Sequence, residues 1–291
     1  MAYKVSDKQL EELIHLYCRD FTALAAEGRF DPIHGRDEEI NQVILILLQK
    51  GRKNAALQAP AGVGKTALCV GLAQTIVAEK VPAYLKGARV LEVDLASMAA
   101  GTSTVSEFQG RFIPLCRGIA ERYRSKDHPK FILFIDEMHT IMPGCEGSSY
   151  KGLSEVMKPY LTVGDLHVIG ATTLDEYRLF VGVDPAMDRR FQKVQLSVPD
   201  VAGTIKILEA LRPSYEKHHQ IKIEDAALEL VVNLTEQHLR KRNQPDKSIV
   251  MMDAACAHHV FNKGIGGKLD IDYIYKVIGN ETGIHADALK K

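Results

Sequence analysis

Three stretches of this sequence predict an α/β fold: a parallel five-stranded sheet with helices on both faces, followed by a small α-helical domain. The first is AALQAPAGVGKTALCVGLA, residues 55–73, where a short apolar run leads through a glycine-bearing loop into an apolar-periodic helix. The second is FILFIDEMH, residues 131–139, where five apolar residues in a row end in two acids. Such a run fits a strand buried on both faces, as in parallel sheets. The third is a change of character near Asp200, after which helical periodicity continues without strong strand signals.

Composition narrows the classes. The 291 residues suffice for one large and one small domain, and 46% hydrophobic with 25% charged residues is ordinary for a globular protein. Lys+Arg and Asp+Glu both number 37, so the net charge is zero and nucleic acid is not expected as a partner. The longest apolar run, Val43 to Leu48, is too short to span a bilayer, and MAYKVSDKQLEEL shows no signal-peptide core. Five cysteines without a C-x-x-C pair point to reduced thiols in the cytoplasm.

Residues 6–27 read as one helix, with Ser6 as N-cap, Leu10, Leu13, Ile14 and Tyr17 at helical spacing, and Gly28 as the stop. Asp31-Pro32 marks an extended approach, Gly35 a turn, and Asp37–Gln49 a second helix. Ile33 and His34 stand just before that helix. On spacing alone Ile33 is core, and contact with an adenine ring is the alternative.

Ala55-Ala56-Leu57 is the first expected strand of the sheet. In the loop that follows, Pro60, Ala61, Gly62, Val63 and Gly64 precede Lys65, Thr66 and Ala67 at the head of a helix. Gly62 and Gly64 permit backbone angles that turn successive N–H groups onto phosphate oxygens, and the helix start adds its positive dipole end. Lys65 reaches the outer phosphates and the Thr66 hydroxyl suits Mg²⁺. Ala59 replaces the first glycine of the G-x-x-x-x-G-K-[ST] pattern, and an alanine in a left-handed turn there would cost roughly 1 kcal/mol. Taken alone, the loop also fits a glycine-rich turn without function.

Pro82 breaks the chain and Arg89–Asp94 is the next strand, followed by a small-residue stretch, a helix to about Tyr123 and a polar turn at SKDHPK. The run ending in Asp136-Glu137 places two carboxylates at the carboxyl edge of the sheet, where open α/β sheets bind ligands. Asp136 would hold Mg²⁺ through water and Glu137 would polarise an attacking water. A helix from about Leu153 to Leu161 and a strand over 166–173 follow, the strand ending in Thr172 and Thr173. Asp188-Arg189-Arg190-Phe191 precedes a fifth strand, KVQLSV. By themselves adjacent arginines there read as a solvated face. Helices are expected over 202–211, 213–218, 224–235, 247–262 and 271–278. His218-His219 and His258-His259 read as surface or core histidines rather than metal ligands.

The phrases DPIHGRDEEI, APAGVGKTALCVGLAQTIV, FILFIDEMHT, HVIGATTLDEYR, MDRRFQKV, SYEKHHQIKIEDAAL and QPDKSIVMMDAA occur in that order. In them the chain resembles the first AAA+ P-loop module of the ClpA/ClpB class of chaperone ATPases, from about residue 16 to the end. The resemblance implies residues 1–29 as an N-terminal helix and linker, 30–200 as a nucleotide-binding domain and 201–291 as a lid, with MgATP or ADP bound between the last two. It implies Lys65 on the phosphates, Thr66 and Asp136 at Mg²⁺, Glu137 activating water, and Thr173 as the γ-phosphate sensor. Arg189 and Arg190 become arginine fingers, and Ile33, His34, Ile207 and the Pro245-Asp246-Lys247 tripeptide line the adenine side.

Fingers that act on a neighbour's nucleotide imply a homo-oligomeric ring, by family a hexamer, working on a protein client or within a partner machine. Thr104, in Gly101-Thr102-Ser103-Thr104-Val105-Ser106, stands where the family's pore loop carries an aromatic. That departure leaves two readings: a ring that remodels or unfolds proteins, and an ATP-dependent assembly or switch component that does not thread. The family's adaptor, middle and second AAA+ domains have no counterpart in this sequence, and YKVIGNETGIHADALKK resembles the linker to that second module. The chain is therefore read either as a piece of a two-ring protein or as a single-ring relative.

Overall fold

A computed structural model describes residues 4–102, 104–123 and 128–290. Ser103 and the first half of the SKDHPK turn, 125–127, thus lie outside the described residues. The chain divides into two compact units, one formed by 1–30, 38–59 and 65–196, the other by 31–37, 60–64 and 197–291.

The first unit opens with helix α1 (Asp7–Tyr17), strand β1 (Cys18–Asp20) and helix α2 (Phe21–Ala26). The single helix expected over 6–27 is therefore interrupted. Cys18, Arg19 and Asp20 pair antiparallel with Val93, Glu92 and Leu91. Asp20 then caps the new helix, its Oδ1 accepting from the N–H groups of Thr22 and Ala23 at 2.9 Å. Three inserted residues are close to one helical turn, so the apolar spacing runs on across the break and conceals it.

Helix α3 (Asp37–Leu47), β2 (Asn54–Gln58), α4 (Lys65–Val77), β3 (Arg89–Val93), α5 (Leu95–Ala99), α6 (Val105–Tyr123) and β4 (Phe131–Ile135) follow. Then come α7 (Leu153–Val163), β5 (His167–Thr172), the single turn α8 (Leu174–Glu176), α9 (Pro185–Asp188) and β6 (Phe191–Gln195). The sheet has six strands in the order β1-β3-β4-β5-β2-β6. Strands β2 to β6 are mutually parallel, and β1 adds an antiparallel edge to the expected five. β6 begins two residues earlier than KVQLSV suggests, because Phe191 pairs with Asn54 and is itself buried. Every residue of β2, β4 and β5 is buried, which explains their uninterrupted apolar runs. The order puts β4 beside β5 and β5 beside β2, so the strand ends at Ile135, Thr172 and Gln58 are neighbours.

In the second unit, α10 (Val201–His219), α11 (Asp225–His238), α12 (Asp246–Lys263), α13 (Asp272–Thr282) and the short α14 (Ala286–Leu289) enclose their own core. Leu208, Leu228, Val231, Val232, Met252, Cys256 and Ile278 are buried in it. The two helices expected over 202–211 and 213–218 are one, with Pro213 inside α10. Pro213 and Glu209, whose carbonyl loses its partner, are both exposed, so water can satisfy that carbonyl. Among the described residues no helix is long and apolar enough to cross a membrane.

Candidate functional site

The glycine loop has the expected backbone at two positions and an easier one at a third. Gly62 (φ 78°) and Gly64 (φ 102°) occupy the left-handed region, where consecutive N–H groups can converge on an anion. Ala59 does not: the non-glycine residues with positive φ among those described are Glu79, Glu137 and Gln220. The strain expected of Ala59 is therefore absent. It continues β2, its N–H donating to Thr172 O at 3.3 Å.

Within the second unit, side chains hold the loop by its carbonyls. Asn243 Nδ2 donates to Ala61 O at 3.0 Å, and buried Arg36 donates to Val63 O at 2.8 Å and to Ser197 O at 3.1 Å. A Cβ on Gly62 would stand 2.9 Å from Asp246 Cβ, so glycine is demanded there twice over. Pro60, Ala61 and Gly62 are exposed, and Val63 is buried. Ile33 and Ile207 are half-buried and His34 is exposed. Pro245 is buried just ahead of α12, and Lys247, 4% exposed, directs its ammonium to Glu236 Oε2 at 2.8 Å.

In the first unit, Lys65 is 8% exposed and donates from Nζ to Ala59 O at 3.1 Å. The Thr66 hydroxyl, one residue on, donates to Asp136 Oδ2 at 3.2 Å, and Ala67 is half-buried behind it. Glu137 follows with φ 49°, a left-handed conformation rare for a residue with a Cβ, and its N–H donates to Asp136 Oδ1 at 3.0 Å. Burial, and then the negative charges of Glu176 and Asp136, push the Glu137 carboxyl above its ordinary range.

Thr173 caps the α8 turn. Its hydroxyl donates to Glu176 Oε2 at 2.8 Å and accepts from the Glu176 N–H at 3.2 Å. Burial acts to raise the Glu176 carboxyl, but hydrogen bonds from Thr173 and Thr172 outweigh it and hold the group below its usual value. His139 Nδ1 lies 3.0 Å from Thr172 Oγ1. Sequence reasoning singled out neither His139 nor Glu176. The T-x-x-E spacing of a capping box could have found Glu176, whereas His139 is brought to Thr172 only by the pairing of β4 with β5.

Arg189 and Arg190 follow α9, whose start is capped by Asp184. Arg189 Nε donates to Pro185 O at 2.9 Å and an Arg190 Nη to Ala186 O at 3.0 Å. No hydrogen bond among the described residues ties either guanidinium to Thr66, Asp136 or Glu137. Thr104 is exposed at the head of α6, where its hydroxyl accepts from the Glu107 N–H at 3.2 Å.

Two family models match the chain. The model of the ATPase family associated with various cellular activities (AAA) matches residues 55–197, and the AAA lid domain matches 200–270. The chaperone protein ClpB of Vibrio vulnificus is 39% identical over 257 residues, which is 87% of this chain and 29% of that protein. The chaperone protein ClpB 1 of Synechocystis is 41% identical over 261 residues, 88% of this chain and 28% of that one. Among solved structures, the Saccharomyces cerevisiae Hsp104–ADP complex superposes with a TM-score of 0.83 at 34% identity, covering 96% of this chain and 47% of that chain. A Hsp104–casein complex from the same yeast gives 0.82 at 36%, covering 94% and 46%. The chain thus spans under a third of the length of these curated relatives.

Proposed function

The chain belongs to the AAA+ ATPases of the Clp class, and on that premise we propose that it binds MgATP and hydrolyses it to drive rearrangement of protein clients. The observation that carries this reading is the 3.2 Å contact between Thr66 Oγ1 and Asp136 Oδ2. It joins the residue after Lys65 to the end of β4, and hard oxygen donors so placed fit Mg²⁺. The left-handed Gly62 and Gly64 fit a phosphate chain. Bound MgATP would supply the transferable phosphoryl group and the cation that neutralises its charge.

The protein's own residues then act as follows. Lys65 and the loop N–H groups hold and orient the phosphates, and Thr66 with Asp136 keeps the oxygen donors of the cation site in place. Glu137 orients a water and takes its proton at the carboxylate. The Thr173 hydroxyl senses the outer phosphate, and Ile33, His34, Ile207, Pro245 and Lys247 serve the adenine side. Arg189 and Arg190 stabilise charge on the nucleotide of a neighbouring copy, which requires a head-to-tail ring, by family a hexamer. We take 30–200 as the nucleotide-binding domain, 201–291 as its lid and 1–29 as the leading segment. The free cysteines favour a reducing cytoplasm.

Thr104 favours a second reading. A threonine that caps α6 offers no aromatic grip, which suits a component that changes partners with its ATP state and does not thread. Unfolded casein separates the two, because a threading ring hydrolyses ATP faster in its presence and a docking component does not.

The deciding experiment follows hydrolysis per subunit against protein concentration for the wild type, Glu137→Gln and the Arg189→Ala/Arg190→Ala pair. A steep rise with concentration that collapses in both variants supports a ring with fingers acting in trans. Tight ATP binding without turnover at any concentration overturns the hydrolytic reading.

A further inference from the structure

Three oxygens lie around one ring nitrogen of His139. Nδ1 lies 3.0 Å from Thr172 Oγ1, 3.4 Å from Glu137 Oε2 and 3.4 Å from Glu176 Oε2. The Thr172 hydroxyl directs its single proton to Glu176 Oε2 at 3.0 Å, so its oxygen turns lone pairs to the ring. Carboxylate oxygens offer nothing but lone pairs. Nδ1 must therefore carry the ring proton. The imidazole is held there, with 13% of the side chain exposed and the ring stacked on Phe180 at 5.8 Å between centroids.

The two ends of this contact differ in rigidity. Glu176 Oε2 accepts from Thr172 Oγ1, from the Thr173 N–H at 2.9 Å and from Thr173 Oγ1 at 2.8 Å, so it is anchored to the end of β5. Glu137, by contrast, has a half-exposed side chain on a left-handed backbone. The three ligand atoms of Glu137, His139 and Glu176 lie within 4.8 Å of one another, a spacing that a cation would also accept. A protonated Nδ1 has no lone pair for a cation, and Glu176 Oε2 already serves three donors.

We propose that His139 is a positioning residue that tethers the Glu137 carboxylate to the Thr172–Thr173 end of β5 through its Nδ1–H. Thr172 Oγ1, at 3.0 Å, takes the hydrogen bond, and Glu137 Oε2 and Glu176 Oε2, each at 3.4 Å, compete for the same proton. A displacement of the threonine pair therefore strengthens or weakens the hold on Glu137. That makes the orientation of the carboxylate depend on whatever Thr173 touches. The inference rests on the reading of Glu137 as the residue that orients water.

His139→Asn tests it, because the asparagine Nδ2 stands where the histidine Nδ1 was and still donates. His139→Ala removes the donor. In the alanine variant kcat falls on the order of 10- to 100-fold, as for a misplaced catalytic group, with ATP affinity and KM unchanged. The asparagine variant recovers most of that loss. An alanine variant with wild-type kcat, or alanine and asparagine variants equally impaired, overturns the proposal. Nitrogen-15 NMR of the nucleotide-free chain decides it independently of turnover. The His139 ring is expected as the Nδ1–H tautomer, with its Nδ1 resonance moved by Glu137→Ala and by Thr172→Val. An Nε2–H tautomer, or a resonance indifferent to Glu137→Ala, overturns the tether. Absence of turnover in the wild type would instead overturn the role of Glu137 as base and leave the NMR result to judge the tether.

Discussion

The Thr66 hydroxyl donates to Asp136 Oδ2 at 3.2 Å, joining the first turn of α4 to the end of β4 across 70 positions of sequence. Neither side chain needs the other for folding, since Thr66 is half-buried at a helix start and could hydrogen-bond water. On the proposed reading, these two oxygens would form part of the coordination shell of Mg²⁺. Thr66→Ala and Asp136→Asn are each expected to lower ATP affinity measured with Mg²⁺, on the order of 10- to 100-fold, to the level seen in EDTA. Thr66→Ser keeps the hydroxyl and retains affinity. Calorimetric titration with and without Mg²⁺ checks this, and an unchanged magnesium dependence in Thr66→Ala would refute it.

Glu137 gives a prediction about pH and stability. Its carboxyl is held above the ordinary value by burial and by the charges of Glu176 and Asp136. The folded state therefore binds a proton more readily than the unfolded chain. The ionised group weakens the fold increasingly as pH rises from the unfolded value near 4.5 through the raised folded value. Glu137→Gln removes that penalty. Its melting temperature should match the wild type at about pH 4 and exceed it at about pH 7, where the charge is fully expressed. Melting curves at the two pH values decide it, and a variant less stable at the higher pH contradicts the assignment.

The leading segment provides a test of the fold. Arg122 on α6, 7% exposed, donates from Nε to Asp7 Oδ1 at 2.8 Å and from its two Nη groups to Gly118 O at 2.8 Å and Val5 O at 3.0 Å. Val5, Leu10 and Ile14 are buried in the same core as Phe112 and Ile119 of that helix. Arg122→Met fills the volume but leaves the Val5 carbonyl without its donor, which costs about 1–3 kcal/mol. Hydrogen exchange in α1 should accelerate by a corresponding factor. Unchanged protection would mean that this segment is held by its apolar contacts alone.

Local order made part of this architecture legible in the sequence. β2, β4 and β5 were readable because strands buried on both faces carry unbroken apolar runs, and the Gly62/Gly64 turn because no other residue adopts those angles cheaply. β1 was not, since three residues at a sheet edge have no periodicity of their own, and its partner β3 is remote in sequence. Ala59 looked strained only because the motif puts a glycine there, whereas in this chain the position simply extends β2. The group around His139 was invisible for a related reason. It exists because β4 and β5 are adjacent, a fact of topology that no single stretch records.

Thr104 separates the two functional readings most directly. Its hydroxyl caps α6 by accepting from the Glu107 N–H, and Arg111 donates to Met98 O of α5 at 2.8 Å and to Ala100 O at 2.6 Å. An exposed residue at the start of a helix is a suitable mount for a gripping side chain. Thr104→Tyr supplies an aromatic and forfeits a cap, at a cost of about 1 kcal/mol that a folded helix of this length tolerates. If the ring threads polypeptide and lacks only the grip, the variant should show ATP hydrolysis stimulated by casein above the wild-type level. If the chain works as a nucleotide-gated docking component, hydrolysis stays indifferent to casein in both proteins. Thr104→Ala, which loses the cap without gaining a ring, separates the effect of the aromatic from that of a loosened helix start. Casein stimulation in the tyrosine variant and not in the alanine variant would assign this chain to the threading class.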